Sequence, residues 1–149
     1  MKRVGLWAAI GIGIFITVGL ITVEPGYAED GPTCTLETLN GVYVFTATGY
    51  NITSSGPIPK AIVEVIDFNG DGTLTVPAAT VSINGVISRT IDGSGTYTVD
   101  EDCTGTITFT MGPNFDIFIA PNGKEVYMIQ TGGVLPAVFA GTTKRVSSK

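Results

Sequence analysis

The sequence predicts an all-β protein: a small antiparallel up-and-down barrel of about eight or more strands, with a β-sandwich as the alternative. Three observations carry this reading. From Leu39 onward Thr, Val, Ile, Gly, Phe and Tyr dominate, and helix-forming residues never recur at a helical period. Short apolar runs alternate with Gly, Pro, Asn and Asp turn signals. Every connection is short enough for a hairpin or a simple loop, which favours a meander over a Greek key. Closure would also remove the strand edges that an open sheet must protect.

The elements follow in order. Lys2 and Arg3 precede an uncharged stretch from Val4 to Val23, and Gly26 and Ala28 then stand two apart. This basic, apolar, small-x-small order is that of a secretory signal cleaved after Ala28, residues 1–28. The alternative is an uncleaved anchor, because residues 4–23 are enough to span a bilayer. Either way the remainder is exported, secreted or periplasmic in the first case and membrane-anchored in the second. Residues 29–38 read as a flexible lead, and 39–149 as one domain with room for one modest core.

Strand segments are expected at Gly41–Tyr50, Ala61–Phe68, Thr73–Val76, Thr80–Ile83, Val86–Ile91, Thr96–Val99, Thr106–Met111, Phe115–Ala120, Glu125–Gln130 and Val138–Val146. Asn84-Gly85 marks a tight hairpin, because both central residues must accept positive φ. Several strands look apolar on both faces. Phe115, Ile117 and Ile119 alternate with Asp116, Phe118 and Ala120, and Val126 and Met128 with Tyr127 and Ile129. Such strands must cover both sides, which points to a homo-oligomer, a dimer or trimer.

The composition excludes several functions. The chain of 149 residues carries a net charge of −5, and loss of Lys2, Arg3 and Glu24 with the leader makes it −6. Scattered Lys and Arg on an acidic chain leave no footprint for nucleic acid. The sequence contains no histidine. A histidine general base and Ser-His-Asp or Cys-His nucleophiles are therefore excluded, and no zinc site can be completed. Cys34 and Cys103, a lone pair in an exported chain, read as a disulfide. No cofactor is implied.

"DFNGDGTLTV", Asp67–Val76, begins like a calcium loop, with Asp67, Asn69 and Asp71 at alternate positions before Gly72. The twelfth position is Ala78, where such a loop needs a bidentate Glu, and both flanks read as strands. The same letters suit a hairpin turn, so the expectation is a turn and no metal.

Two sets of residues are candidates for chemistry. Glu64 lies mid-strand among Ile62, Ile66 and Phe68, where burial would raise its pKa and let it serve as acid or base. Arg89, mid-strand in "VISRTID", could pair with it or with an anionic ligand. Tyr43, Phe45, Phe109, Phe118 and Tyr127 could line a cavity, since an eight-stranded barrel can hold one small ligand. The alternative is that they fill the interior.

"CTLETLNGVYVFTATGY", "IDFNGDGTLT", "GTYTVDEDCTGTITF" and "KEVYMIQT…FAGTTKR" together resemble a family of small exported bacterial β-barrels, itself similar to the allene oxide cyclase and lipocalin-like class. The resemblance covers Cys34 to Arg145. It implies a fold and a location and supplies no catalytic residues. Gly41-Val42-Tyr43 stands where lipocalins usually carry Gly-x-Trp, and the part after the leader has no Trp. Three functions follow as expectations: a binder of an apolar or amphipathic small molecule, a cyclase- or isomerase-type enzyme acting by substrate shaping, and a structural or surface-interaction protein.

Overall fold

In the computed structural model, residue 31 and residues 33–149 are described. The expected leader, residues 1–28, lies outside them. Eight antiparallel strands form a closed barrel in sequence order. They are β1 (Asn40–Thr53), β2 (Gly56–Asn69), β3 (Thr73–Ile83), β4 (Val86–Val99), β5 (Thr104–Phe109), β6 (Asn114–Ile119), β7 (Glu125–Gly132) and β8 (Ala137–Ser147). β8 returns to β1 and pairs with it from Asn51↔Ala137 to Val42↔Ser147. The up-and-down barrel is thus the observed fold, and the sandwich is not.

The ten expected segments are eight strands because two expected breaks are bends. Thr73–Val76 and Thr80–Ile83 form one strand across Pro77. The β2–β3 register shifts between Val65 and Asp67, so Pro77 falls in a bulge, one of the places where a residue without an N–H is tolerated in a sheet. Val86–Ile91 and Thr96–Val99 likewise join through Asp92, whose φ of 58° turns the strand without ending it. Such left-handed backbone is accessible to Asp, whose short side chain can bond locally. β4 remains paired with β3 on both sides of that bend.

Alternation decides what faces in. Tyr43, Phe45 and Ala47 of β1, Ile66 and Phe68 of β2, Phe115, Ile117 and Ile119 of β6, and Val126 and Met128 of β7 are all buried. Their neighbours in sequence point outward, as the two-residue period requires. Glycine lets the wall curve where the seam is tightest. A side chain at Gly141 would meet the Thr46 carbonyl and Ala47, and one at Gly49 the Val138 carbonyl.

One end of the barrel is plugged. Cys34 and Cys103 form the expected disulfide, and the Cys34 N–H donates to the Glu101 carbonyl (3.1 Å). A 3-10 turn, Leu36–Thr38, follows and places fully buried Leu39 under the strands. The Tyr97 hydroxyl reaches the carbonyls of Leu36 and Leu39, each at 3.0 Å. The Arg145 guanidinium donates to the Thr38 carbonyl (2.7 Å) and to the Tyr43 hydroxyl (2.8 Å), which donates onward to the Gly123 carbonyl (2.6 Å). Tyr43, Phe68 and Tyr97 stack edge to face with 5.1 Å between successive centroids. The lead expected to be flexible is therefore, from Cys34 on, a stopper tied to the barrel.

The disulfide spans 69 residues. Chain-entropy arithmetic for a loop of that size gives about 4 kcal/mol. Reduction, or the double substitution Cys34→Ala with Cys103→Ala, should lower the unfolding free energy by about that amount and the urea midpoint with it, with a steeper slope because the released unfolded chain exposes more surface.

Candidate functional site

The opposite end is open. β2 starts at this rim, where Gly56 pairs with Thr53, and runs down to the plug, where Asn69 pairs with Asn40. The wall is uneven: β1, β2 and β4 each run 14 residues, whereas β5 and β6 run 6. The β5–β6 and β7–β8 loops stand over the short side. Between them and the tall strands lies a cavity of about 490 Å³, within the size range of small-molecule sites.

The floor and sides are apolar. Phe45, Phe109, Phe115 and Phe139 contribute rings, with Ile62, Val76, Ala79 and Val81 between them. Phe115 meets Phe45 edge-on at 5.7 Å and Phe109 at 6.0 Å. The rim carries Met111 and Val134, which are 98% and 100% exposed, and Leu135. Two outer grooves have similar volumes, but they lie over the strand surface and are open to solvent. One of them runs across the small outward side chains Thr46, Ala61, Thr80 and Ala140.

Two ionisable groups enter the cavity from β2. Glu64 lies opposite Phe45 on one side and Ala79 on the other, and is only 7% exposed. Among the described residues none forms a hydrogen bond or ion pair with its carboxyl. Burial pushes its pKa up to about 7, and the positive charge of Lys60 opposes this only in part. Lys60, four residues nearer the rim on the same face, has its pKa lowered by burial, against the pull of Glu64. Its ammonium lies 4.1 Å from the centre of the Phe139 ring and donates to Gln130 Oε1 at 3.4 Å. Asn51, 8% exposed, adds to the polar lining, to which β4 contributes Thr90, Ser94 and the exposed carboxylate Asp92.

Not all the sequence candidates meet here. Phe45, Phe109 and Glu64 line the cavity. Tyr43 points inward but belongs to the plug. Phe118 and Tyr127 are partners across β6–β7 on the outer wall, 54% and 52% exposed. Their parity explains this: Phe115, Ile117 and Ile119 face in, so Phe118 must face out. Arg89 is also corrected. It pairs with Thr80, which faces out, while Glu64 pairs with inward Ala79. Arg89 is exposed on the outer wall and cannot reach Glu64.

Lys60, Asn51, Phe115, Gln130 and Phe139 were missed. Lys60 was legible, since it shares the parity of Ile62, Glu64, Ile66 and Phe68 once β2 extends back through Pro59. Phe139 sits between Val138 and Ala140, and apolar neighbours on both sides hide which face it takes.

No family model, curated protein or solved structure matches this chain.

"DFNGDGTLTV" is the β2–β3 hairpin. Asp71 Oδ1 accepts from the Thr73 amide (2.9 Å) and hydroxyl (2.7 Å), and Asn69 Nδ2 donates to the same hydroxyl (2.9 Å). The Thr73 hydroxyl and then its amide hold the Asp71 carboxyl below the usual carboxylate range. Asp67 pairs with Lys149 at 2.9 Å. Among the described residues no three Cys, Asp or Glu side chains gather to hold a metal.

Glu64 gives the fold a pH dependence of definite sign. Its folded pKa lies above its ordinary value of 4.5, so the folded state binds the extra proton and stability falls as pH rises from about 4.5 to beyond 7. The loss is about 3 kcal/mol. Thermal melting between about pH 4 and pH 8 should show this decline, and Glu64→Gln should flatten it.

Proposed function

We propose that this protein is an exported barrel that binds an apolar or amphipathic small molecule in the cavity at its open end. The observation that carries the reading is the division of the interior. A cross-linked, closely packed plug fills one half, and an aromatic-lined hollow opening to solvent occupies the other. Small barrels are filled by side chains unless the volume has a use. A hollow ringed by Phe45, Phe109, Phe115 and Phe139 forgoes packing that larger side chains would supply. The exposed Met111 and Val134 at the rim extend the apolar surface to where a ligand would enter. The disulfide suits an oxidising compartment and accords with export. Among the described residues no helix is long and apolar enough to cross a membrane.

Glu64 favours a second reading, a cyclase- or isomerase-type reaction in which the cavity shapes a flexible substrate and this carboxyl supplies the proton. With Arg89 outside, Glu64 and Lys60 are the ionisable groups on β2 that face the cavity. Recovery of a bound molecule unchanged after long incubation speaks for binding alone. Conversion that is lost in Glu64→Gln speaks for the reaction.

Binding is tested with N-phenylnaphthylamine, whose fluorescence rises in apolar surroundings. Ala79→Trp, which fills the cavity beside Glu64, should weaken the signal at least tenfold, with the far-ultraviolet circular dichroism unchanged. Phe118→Ser and Tyr127→Ser on the outer wall should leave it intact. Equal binding by all three variants would place the dye elsewhere and end the proposal.

A further inference from the structure

The cavity's polar groups specify the kind of molecule that fits, an inference that rests on the binding reading above. Glu64 is more than nine-tenths buried and faces an apolar hollow, and no described residue bonds its carboxyl. Burying a polar group without a partner is costly, so this carboxyl points to a group that arrives from outside the chain. Buried on the apolar wall, it is held largely as the neutral acid through mildly acidic pH, so it offers an O–H donor. Lys60 has three N–H donors. One reaches Gln130, and no carboxylate of the described residues lies within ion-pairing distance of it.

The two groups sit on one face of one strand, four residues apart. At strand rise their Cα atoms are roughly 13 Å apart along the barrel, with Lys60 toward the mouth. The wall between them is Ile62, paired with Ala47 and Val81, and Phe45, Phe115 and Phe139 line the same cavity. Two donors separated by an apolar span complement two acceptors separated by an apolar body. Charge decides which acceptor goes where. An anion at the floor would sit against the acid and lose its hydration. At the mouth it meets the ammonium and keeps partial contact with water. Asp92 also lines the cavity but is exposed to solvent, so the partly buried Lys60 is the charge that a ligand's outer group meets and a cationic ligand is disfavoured there.

We infer that the bound molecule is a rod-like amphipath with a hydrogen-bond-accepting oxygen at its inner end and an anionic group at its outer end, the first received by Glu64 and the second by Lys60.

Rigid biphenyls make the test. A para,para′-acetylbiphenylcarboxylate has both features. Its ethyl analogue lacks the inner oxygen, its carboxamide lacks the anion, and the corresponding benzylic amine reverses the charge. Displacement of N-phenylnaphthylamine at about pH 6, where the carboxyl keeps its proton, ranks them. The acetyl compound should bind about fivefold tighter than the ethyl one, and the acid about tenfold tighter than the carboxamide. Glu64→Leu should erase the first ratio and spare the second. Lys60→Met should do the reverse. Glu64→Gln, which keeps an N–H donor, should retain part of the first ratio and guards against a mere folding defect. Two ratios near one, or tightest binding by the amine, would overturn the inference while leaving the cavity a binding site. If the dye itself fails to bind the unaltered protein, the binding reading falls and takes this one with it.

Discussion

The pairing of β8 with β1 is the constraint on which the hollow depends. A cavity lined by side chains of one sheet needs that sheet to return on itself, because an open sheet with an apolar concave face would bury it against something else. Closure also reduces the free edges. Every strand has a partner on both sides over part of its length, and an edge left free is the rim half of β4, where Val86–Ile91 pairs with β3 alone. The seam tolerates little. Gly49 and Gly141 meet the backbone of the opposing strand so closely that a β-carbon at either would force the strands apart. Opening the seam would therefore cost the protein its hollow and its edge protection together.

Given closure, the ends divide the work. The plug concentrates the disulfide, the Tyr43–Phe68–Tyr97 stack and the Arg145 hydrogen bonds, and these bridge elements far apart in sequence. The open end has hairpin tips, exposed rim residues and a carboxyl without a partner. Stability at one end offsets what the other lacks, a separation expected where a site must hold space that packing would otherwise fill. The outer wall is a different matter. Phe118, Tyr127 and Ile129 are exposed on neighbouring strands, and such a patch is larger than scattered surface residues require.

How much of this was legible in the sequence follows from the period of two. Where polar and apolar residues alternate strictly, as in Phe115-Asp116-Ile117, the inward face is read directly, whereas Glu64 stands out as a lone carboxyl sharing the parity of Ile62, Ile66 and Phe68. Where both faces are apolar, aromatic character outweighed parity, and Phe118 and Tyr127 were placed inside. The Glu64–Arg89 pairing needed register across β2, β3 and β4, which a bulge at Pro77 and a bend at Asp92 set. Neither leaves a mark that separates it from a turn, so one strand read as two. The cavity was hidden for another reason. A filled and a hollow barrel use the same alternation, and the difference lies in strand length and loop placement.

The buried carboxyl brings these threads together. An acid at position 64 destabilises the barrel as it ionises, and a Leu or Gln there would be the easier residue for folding alone. Lys60 relieves this only in part, and Ala79, the partner of Glu64 on β3, offers no hydrogen bond where a Ser or Thr could have supplied one. That a group so costly to bury is left without a bond by the described residues is the ground on which we propose a partner from outside the chain. The same surroundings that raise its pKa make it a donor in a place water reaches poorly, where one hydrogen bond counts for more than it does at the surface. On the proposed reading, the penalty in folding and the selectivity in binding would be one property of Glu64, carried by a barrel that the cross-linked plug stabilises.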